Sequence, residues 1–233
     1  MSRIDGEPAF VLHRRAWRET SLIVDLLTRS CGRVAAVARG ARAPRSSWFG
    51  LAEPFRLLQV SWTRRGDMAT LTDIDILRAA SPLTGTALWC GFYVNELMLA
   101  LLQRDDPDPE LFDAYAELLP QLSDAGLRAP ALRRFECRLL DALGVLPDLS
   151  ECSGSAVPVR PELRYRLDPV VGPEPAGAEA SAFSGRVLLA LARGDALAGE
   201  DAGEARRLTR RLIEYHLDGR SLKTPVMFRE NVS

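Results

Sequence analysis

The sequence predicts an α+β protein of two domains: a small N-terminal β-barrel of five strands, followed by a mainly α-helical C-terminal domain with a loop-rich insertion. Three observations carry this expectation. The first eighty residues hold short, β-branched and apolar runs separated by glycine- and proline-bearing turns. After Ser81-Pro82 the apolar residues recur at helical spacing instead. The chain has 233 residues, 47% hydrophobic and 26% charged, which suits two folded cores and is too apolar for a long disordered protein.

The strands come in order. Ala9 to His13 is a short apolar run, and Ser21 to Thr28 reads SLIVDLLT. Arg33 to Arg39 is bounded by Gly32 and Gly40. Phe55 to Trp62 and Ala69 to Leu77 alternate between apolar and polar residues, except that Leu71, Ile74 and Ile76 do not share one face. A bulge near Asp73 would reconcile them. Five short strands in residues 1–80 suit a small closed barrel, and the OB-fold is the natural candidate.

The helices fill residues 81–233. Residues 83–103 place Leu88, Phe92, Leu97 and Leu101 at helical spacing, with Trp89 and Val94 beside them. Glu110 to Leu122 follows, with Pro120 predicting a kink or an early end. Pro130 suits a helix start, and Ala131 to Leu143 runs to a stop at Gly144. Residues 147–182 are rich in proline and form the insertion, with a hairpin expected near Leu163 to Leu167. Helices resume near Ser184 to Ala192 and Ala202 to Leu217, and Met227-Phe228 in the tail is expected to dock on the helical domain.

The formal net charge of −1 conceals an asymmetry. Residues 1–65 carry twelve arginines against five acids, whereas the rest of the chain has an acidic excess. Such a front end points to a polyanionic partner, the alternative being a chain whose halves balance each other. Lys223 is the only lysine, so the basic groups are almost all guanidinium forks suited to phosphates and to stacking.

The residues after the third strand run Arg39-Gly40-Ala41-Arg42-Ala43-Pro44-Arg45-Ser46-Ser47-Trp48-Phe49. Cations that follow phosphates, next to flat rings on which bases stack, are what single-stranded nucleic acid requires. Arg14, Arg15, Arg18 and Arg33 add charge nearby, so the candidate nucleic-acid set is Arg14, Arg15, Arg18, Arg33, Arg39, Arg42, Arg45 and Trp48. The alternative is a solvated basic loop whose aromatic residues plug the barrel. In the helical domain Arg133, Arg134 and Arg138 lie beside Phe135, Leu139 and Leu140, an arrangement open either to an acidic, aromatic-ended peptide or to a solvated face paired with Glu136 and Asp141.

Other chemistries find little support. His13 and His216 are the only histidines, and no phosphate-cradling glycine loop or nucleophile elbow is present. Cys31, Cys90, Cys137 and Cys152 form no C-x-x-C pair, and Cys90 and Cys137 read as buried thiols in a reducing cytoplasm. The N-terminal MSRIDGEPAF lacks the basic-then-apolar order of a secretory signal, and no run of eighteen apolar residues suggests a membrane span. No enzyme activity, cofactor or membrane contact is expected.

Short motifs along nearly the whole chain resemble the bacterial RecO recombination-mediator family. They are Phe10 to His13 with Trp17 to Leu22, Gly32-Arg33-Val34, Ala38 to Arg42, Tyr93 to Leu97, Ala131 to Glu136 with Leu139-Leu140, Leu222 to Thr224, and Met227 to Arg229. The resemblance implies an N-terminal OB-fold and binding of single- and double-stranded DNA, with annealing of complementary strands. It implies partnership with RecR and with the acidic C-terminal tail of single-stranded-DNA-binding protein. It also implies a functional link to RecA and RecF in gap repair, and a cytoplasmic, nucleoid-associated location. The tail-binding set it suggests is Arg133, Arg134, Phe135 and Arg138, with Leu101. Zinc-binding members carry four cysteines in the insertion; this sequence keeps Cys152 alone there, so no metal is expected. An RNA-binding OB module and a protein adaptor without DNA contact are the remaining readings.

Overall fold

Five strands wrap into a closed barrel in the computed structural model, which describes residues 2–78, 81–155, 157–176 and 181–224. They are β1 (Ser2–Trp17), β2 (Ser21–Thr28), β3 (Gly32–Ala38), β4 (Leu57–Arg64) and β5 (Ala69–Arg78). Their order round the barrel is β1-β2-β3-β5-β4, antiparallel throughout except where β3 meets β5. This is the five-stranded OB-fold that the strand count predicts.

The sequence underestimates β1, which is expected only over Ala9 to His13 but runs sixteen residues. Its first half pairs with β4 and its second with β2, so one long strand serves both neighbours. Its pairing with β4 shifts register between Ile4 and Glu7, where Gly6 has φ 65°. A second shift lies between Val11 and His13, where Leu12 has no opposite residue in β2. In β5, Ser61 faces Asp73 while Trp62 faces Leu71, so Thr72 is the spare residue of the bulge predicted near Asp73. The bulge brings both Leu71 and Ile74 into the core with Val11, Leu26, Val34, Val60 and Trp62.

The chain divides into two compact units, Met1–Pro120 with Leu222–Ser233, and Gln121–Ser221. The first holds the barrel, α1 (Gly85–Leu101) and most of α2 (Pro109–Leu122). Pro120 lies inside the last turn of α2, which continues past it to Leu122 and so does not end early at the proline. The buried residues of α1 are Ala87, Gly91, Val94, Asn95, Leu97 and Met98: Val94 and Leu97 belong to the expected face, whereas Leu88 and Leu101 are only half-buried and Phe92 is exposed. The reason is steric. A Cβ on Gly91 would lie 2.7 Å from the ring of Phe55, so the closest approach is made at the glycine. Phe92 turns partly outward and meets Phe55 edge-on, with ring centroids 5.2 Å apart.

One buried polar network ties this unit together. Asn95 donates from Nδ2 to the Leu12 carbonyl at 2.9 Å and accepts from the Tyr115 hydroxyl at 2.6 Å. The bulge in β1, helix α1 and helix α2 are thereby joined by one side chain that is 2% exposed. Burial pushes the Tyr115 hydroxyl well above the ordinary tyrosine range. The next residue, Glu96, accepts from the backbone N–H groups of Lys223 and Thr224 at 2.7 and 2.9 Å, fixing where the chain's last described segment lies.

The second unit contains α3 (Ala125–Ala142), β6 (Arg164–Asp168), β7 (Gly172–Ala176), β8 (Phe183–Ser184), α4 (Gly185–Arg193) and α5 (Gly199–His216). Helix α3 starts six residues before the position predicted from Pro130. Asp124 caps it, accepting from the N–H groups of Gly126 and Leu127, and Pro130 lies inside. The cap satisfies orphan donors that a start at Pro130 would have placed elsewhere. The described residues of the insertion carry regular structure: the expected hairpin is β6–β7, and β8 completes a three-stranded sheet in the order β7-β6-β8. Helices α3, α4 and α5 pack on one another. Phe135, Leu139, Leu188, Leu208 and Leu212 are buried there. Cys137 is buried, as expected, but Cys90 is only half-buried. The tail with Met227-Phe228 lies outside the described residues.

Candidate nucleic-acid interface

The basic residues of the first unit collect around two connections of the barrel. Arg14 and Arg15 lie near the end of β1, and Arg18 sits in the turn to β2. Arg18 has a left-handed backbone, φ 52°, and its guanidinium lies 6.0 Å from the ring centre of Trp17. The second connection is the long loop between β3 and β4. It is a succession of tight turns: the N–H groups of Ala43, Ser46, Phe49 and Leu51 each donate to the carbonyl three residues back, those of Gly40, Ala43, Ser46 and Trp48. The Arg42 N–H donates to the Thr20 carbonyl at 2.8 Å, which pins this loop to the β1–β2 turn.

The loop's small and aromatic residues decide which side chains point outward. Ala41 and Ala52 are buried in the barrel core, and Trp48 and Leu51 pack against it. Trp48 thus takes the plugging position that the alternative reading assigned to the aromatic pair. Its neighbour Phe49 is 59% exposed. Arg39, Arg42 and Arg45 are exposed along the same loop, as are Arg14, Arg15 and Arg18 opposite. Arg14 is braced by Glu53 at 2.7 Å, and the Arg56 guanidinium donates to the Gly50 carbonyl at 2.6 Å.

Between these connections lies an open cleft of about 510 Å³. Arg14, Arg15 and Arg42 supply its cations, Phe49 its flat ring and Glu53 its one carboxylate, with apolar surface from Leu22. Phe49 and Glu53 were not among the residues expected from sequence. Two adjacent aromatics in a turn carry no sign of which one faces the core, and Glu53 reads as one more loop acid.

Arg33 departs from the expected set. Its guanidinium donates to the carbonyls of Leu99 and Leu102 at 2.7 and 3.0 Å, and it lies 3.6 Å from Asp25. These carbonyls belong to the C-terminal turn of α1, where unsatisfied oxygens and the helix dipole favour a cation. With its side chain 15% exposed, Arg33 fastens β3 to α1 and is not offered to a phosphate. The preceding glycine is part of the same joint: Gly32 has φ 68°, and a Cβ there would lie 2.3 Å from the Asp106 carbonyl oxygen.

Four of the five expected tail-binding residues, Arg133, Arg134, Phe135 and Arg138, lie on α3. Arg133 pairs with the buried Glu136 at 2.6 Å, Arg134 donates to Gln121 at 2.6 Å, and Arg138 pairs with Asp141 at 2.8 Å. Phe135 is 3% exposed and belongs to the core, so it forms no wall of an open groove. Leu101 lies in the other compact unit. The pairing with Glu136 and Asp141 is the one the solvated-face reading anticipates. Among the described residues no three His, Cys, Asp or Glu side chains gather as a metal site would need, and no helix is long and apolar enough to cross a membrane.

The fold and the loop define an OB-fold barrel with a cation-rich, single-ring cleft, joined in one chain to a helical unit. The family model described as recombination protein O N terminal matches residues 1–80, and that described as recombination protein O C terminal matches residues 82–225. Proteins named DNA repair protein RecO resemble the chain over nearly its full length. That of Alkalilimnicola ehrlichii is 46% identical, over 98% of this chain and 92% of the relative. That of Methylococcus capsulatus is 42% identical over 99% and 95%, and that of Halorhodospira halophila 44% over 98% of each. The chain belongs to the recombination protein O family, and its role lies in DNA repair and recombination.

Proposed function

We propose that this protein is a recombination mediator that holds a DNA strand on the barrel and promotes its pairing with a complementary strand, without bond chemistry of its own. The observation that carries this reading is the convergence of six exposed arginines, Arg14, Arg15, Arg18, Arg39, Arg42 and Arg45, on two tethered connections of one OB-fold barrel. OB-fold proteins bind strands through such a combination of a cationic track and a stacking ring. A protein that neutralises the phosphates of one strand lowers the repulsion met by the second, which is the physical basis of annealing.

Family likeness supports the rest of the reading: single- and double-stranded DNA as ligands, RecR and the acidic tail of single-stranded-DNA-binding protein as partners, and loading of RecA in the pathway that also uses RecF. On α3 an acidic peptide would have to compete with Asp141 for Arg138 and with Glu136 for Arg133.

The test is fluorescence anisotropy of labelled single-stranded DNA across a salt series, with the wild type and Arg39→Glu/Arg42→Glu. Each neutralised phosphate on a single strand contributes a slope of about −0.7 in log K against log salt. If all six engage, they predict about −4.2, or about a three-hundredfold loss between roughly 50 and 200 mM salt. The double reversal should flatten that slope and weaken binding. Salt-insensitive affinity, or equal binding by the variant, would remove the barrel from the reading. Preference for RNA over DNA of equal length would favour the RNA module instead.

A further inference from the structure

We infer that the cleft beside Phe49 takes a single unpaired nucleobase, with Phe49 as its stacking face, so that the barrel distinguishes an open strand from a duplex. This rests on the nucleic-acid reading above and adds to it which part of the polymer the cleft recognises.

Three features lead there. First, Phe49 is a large apolar side chain left 59% exposed at the tip of a turn whose neighbour, Trp48, is packed on the core. The exposure is built into the backbone, because the Phe49 N–H donates to the Ser46 carbonyl and the Leu51 N–H to the Trp48 carbonyl, at 3.1 and 3.0 Å. Second, the ring borders a cleft of about 510 Å³, within the range of sites that take small ligands. Third, the cleft's cations are held in place. Arg14 is braced by Glu53 at 2.7 Å, and Arg42 is anchored through its own N–H to Thr20. A base entering beside Phe49 would have its flanking phosphates among Arg14, Arg15 and Arg42.

The chemistry selects an unpaired base. In a duplex both faces of every base are covered by neighbours, so Phe49 would have to pay for unstacking before gaining a contact. In a single strand the base is already free to splay out. Phosphate contacts alone give no such preference, since both polymers supply them. Glu53 is a positioning residue in this scheme: it orients the Arg14 guanidinium and carries no phosphate itself.

The experiment compares the full chain with Phe49→Leu and Phe49→Trp. The ligands are a labelled single strand, an abasic strand of the same length and backbone, and a duplex, each across a salt series. Phe49→Leu should lose about five- to a hundred-and-fifty-fold on the single strand, the range of one lost stacking contact. Its salt slope should be unchanged, Phe49→Trp should restore the affinity, and neither variant should alter binding to the abasic strand or the duplex. Salt-dependent binding by the wild type that ignores Phe49 and ignores the missing bases would overturn this inference alone. Absence of salt-dependent binding by the wild type would overturn the polyanion reading and this inference with it. Equal losses on all three ligands would also overturn it, by showing that Phe49 shapes the loop and touches no base.

Discussion

Replacing Asn95 by leucine should cost this protein a large part of its stability. The substitution keeps the branching and heavy-atom count of asparagine, is bulkier by the difference between two methyl groups and a carboxamide, and removes both polar atoms. The Leu12 carbonyl, at the bulge of β1, then loses its side-chain donor at 2.9 Å, and the Tyr115 hydroxyl loses its acceptor at 2.6 Å. A buried polar group deprived of its partner costs about 1–3 kcal/mol, so the two together predict about 2–6 kcal/mol. Against the usual 5–15 kcal/mol of a folded domain this is a major fraction. Urea unfolding followed by tyrosine and tryptophan fluorescence measures it, as a fall in midpoint with little change in slope. Tyr115→Phe in the same background should recover about 1 kcal/mol or more, because the hydroxyl that lost its acceptor is then gone. Additive costs in that double-mutant cycle, or a loss below about 0.5 kcal/mol for Asn95→Leu, would refute the claim that this side chain joins β1, α1 and α2.

Two further outcomes separate structural from functional side chains. Arg33→Gln should lower the unfolding midpoint by removing charge-assisted bonds to the end of α1, each worth about 1.5–3 kcal/mol, while the salt slope of DNA binding stays that of the wild type; a flattened slope would put Arg33 back among the phosphate contacts. The Cys137 thiol is pushed up to about 12, first by burial and then by the Glu136 charge. Its folded value thus lies above the ordinary 9.0, so its contribution to stability is fully present below about pH 9 and declines as pH rises toward 12. Cys137→Ala should flatten this part of an alkaline unfolding profile, and an unchanged profile would show that other groups govern it.

The residues read from sequence divide according to what each signal physically reports. Runs such as Ser21 to Thr28 are legible because alternation and β-branching reflect a pleated, half-buried surface, and β2 has those same bounds. The bulge at Asp73 is legible for the same reason: a broken alternation in a strand can be repaired only by an extra residue. Helix phase is less so. The α1 sequence is apolar on most sides, and its buried face was settled by how closely Gly91 could approach Phe55. The start of α3 differs from the one Pro130 suggests because proline at a first turn and proline inside a helix look alike in sequence, whereas the Asp124 cap fixes the start.

By itself the sequence determined a barrel followed by helices, the basic front end and the loop in which its arginines meet two aromatic rings. These are properties of composition and local order, and they survive without knowledge of any distant neighbour. Only the tertiary structure decided which of those residues remain available. Arg33 is consumed by the carbonyls that end α1, Trp48 by the barrel core and Phe135 by the helical core, whereas Phe49 and the arginines around it stay open to solvent. The physical reason is that burial and hydrogen bonding depend on groups far apart in the chain, so identical residue types a few positions apart are assigned to opposite tasks by packing alone.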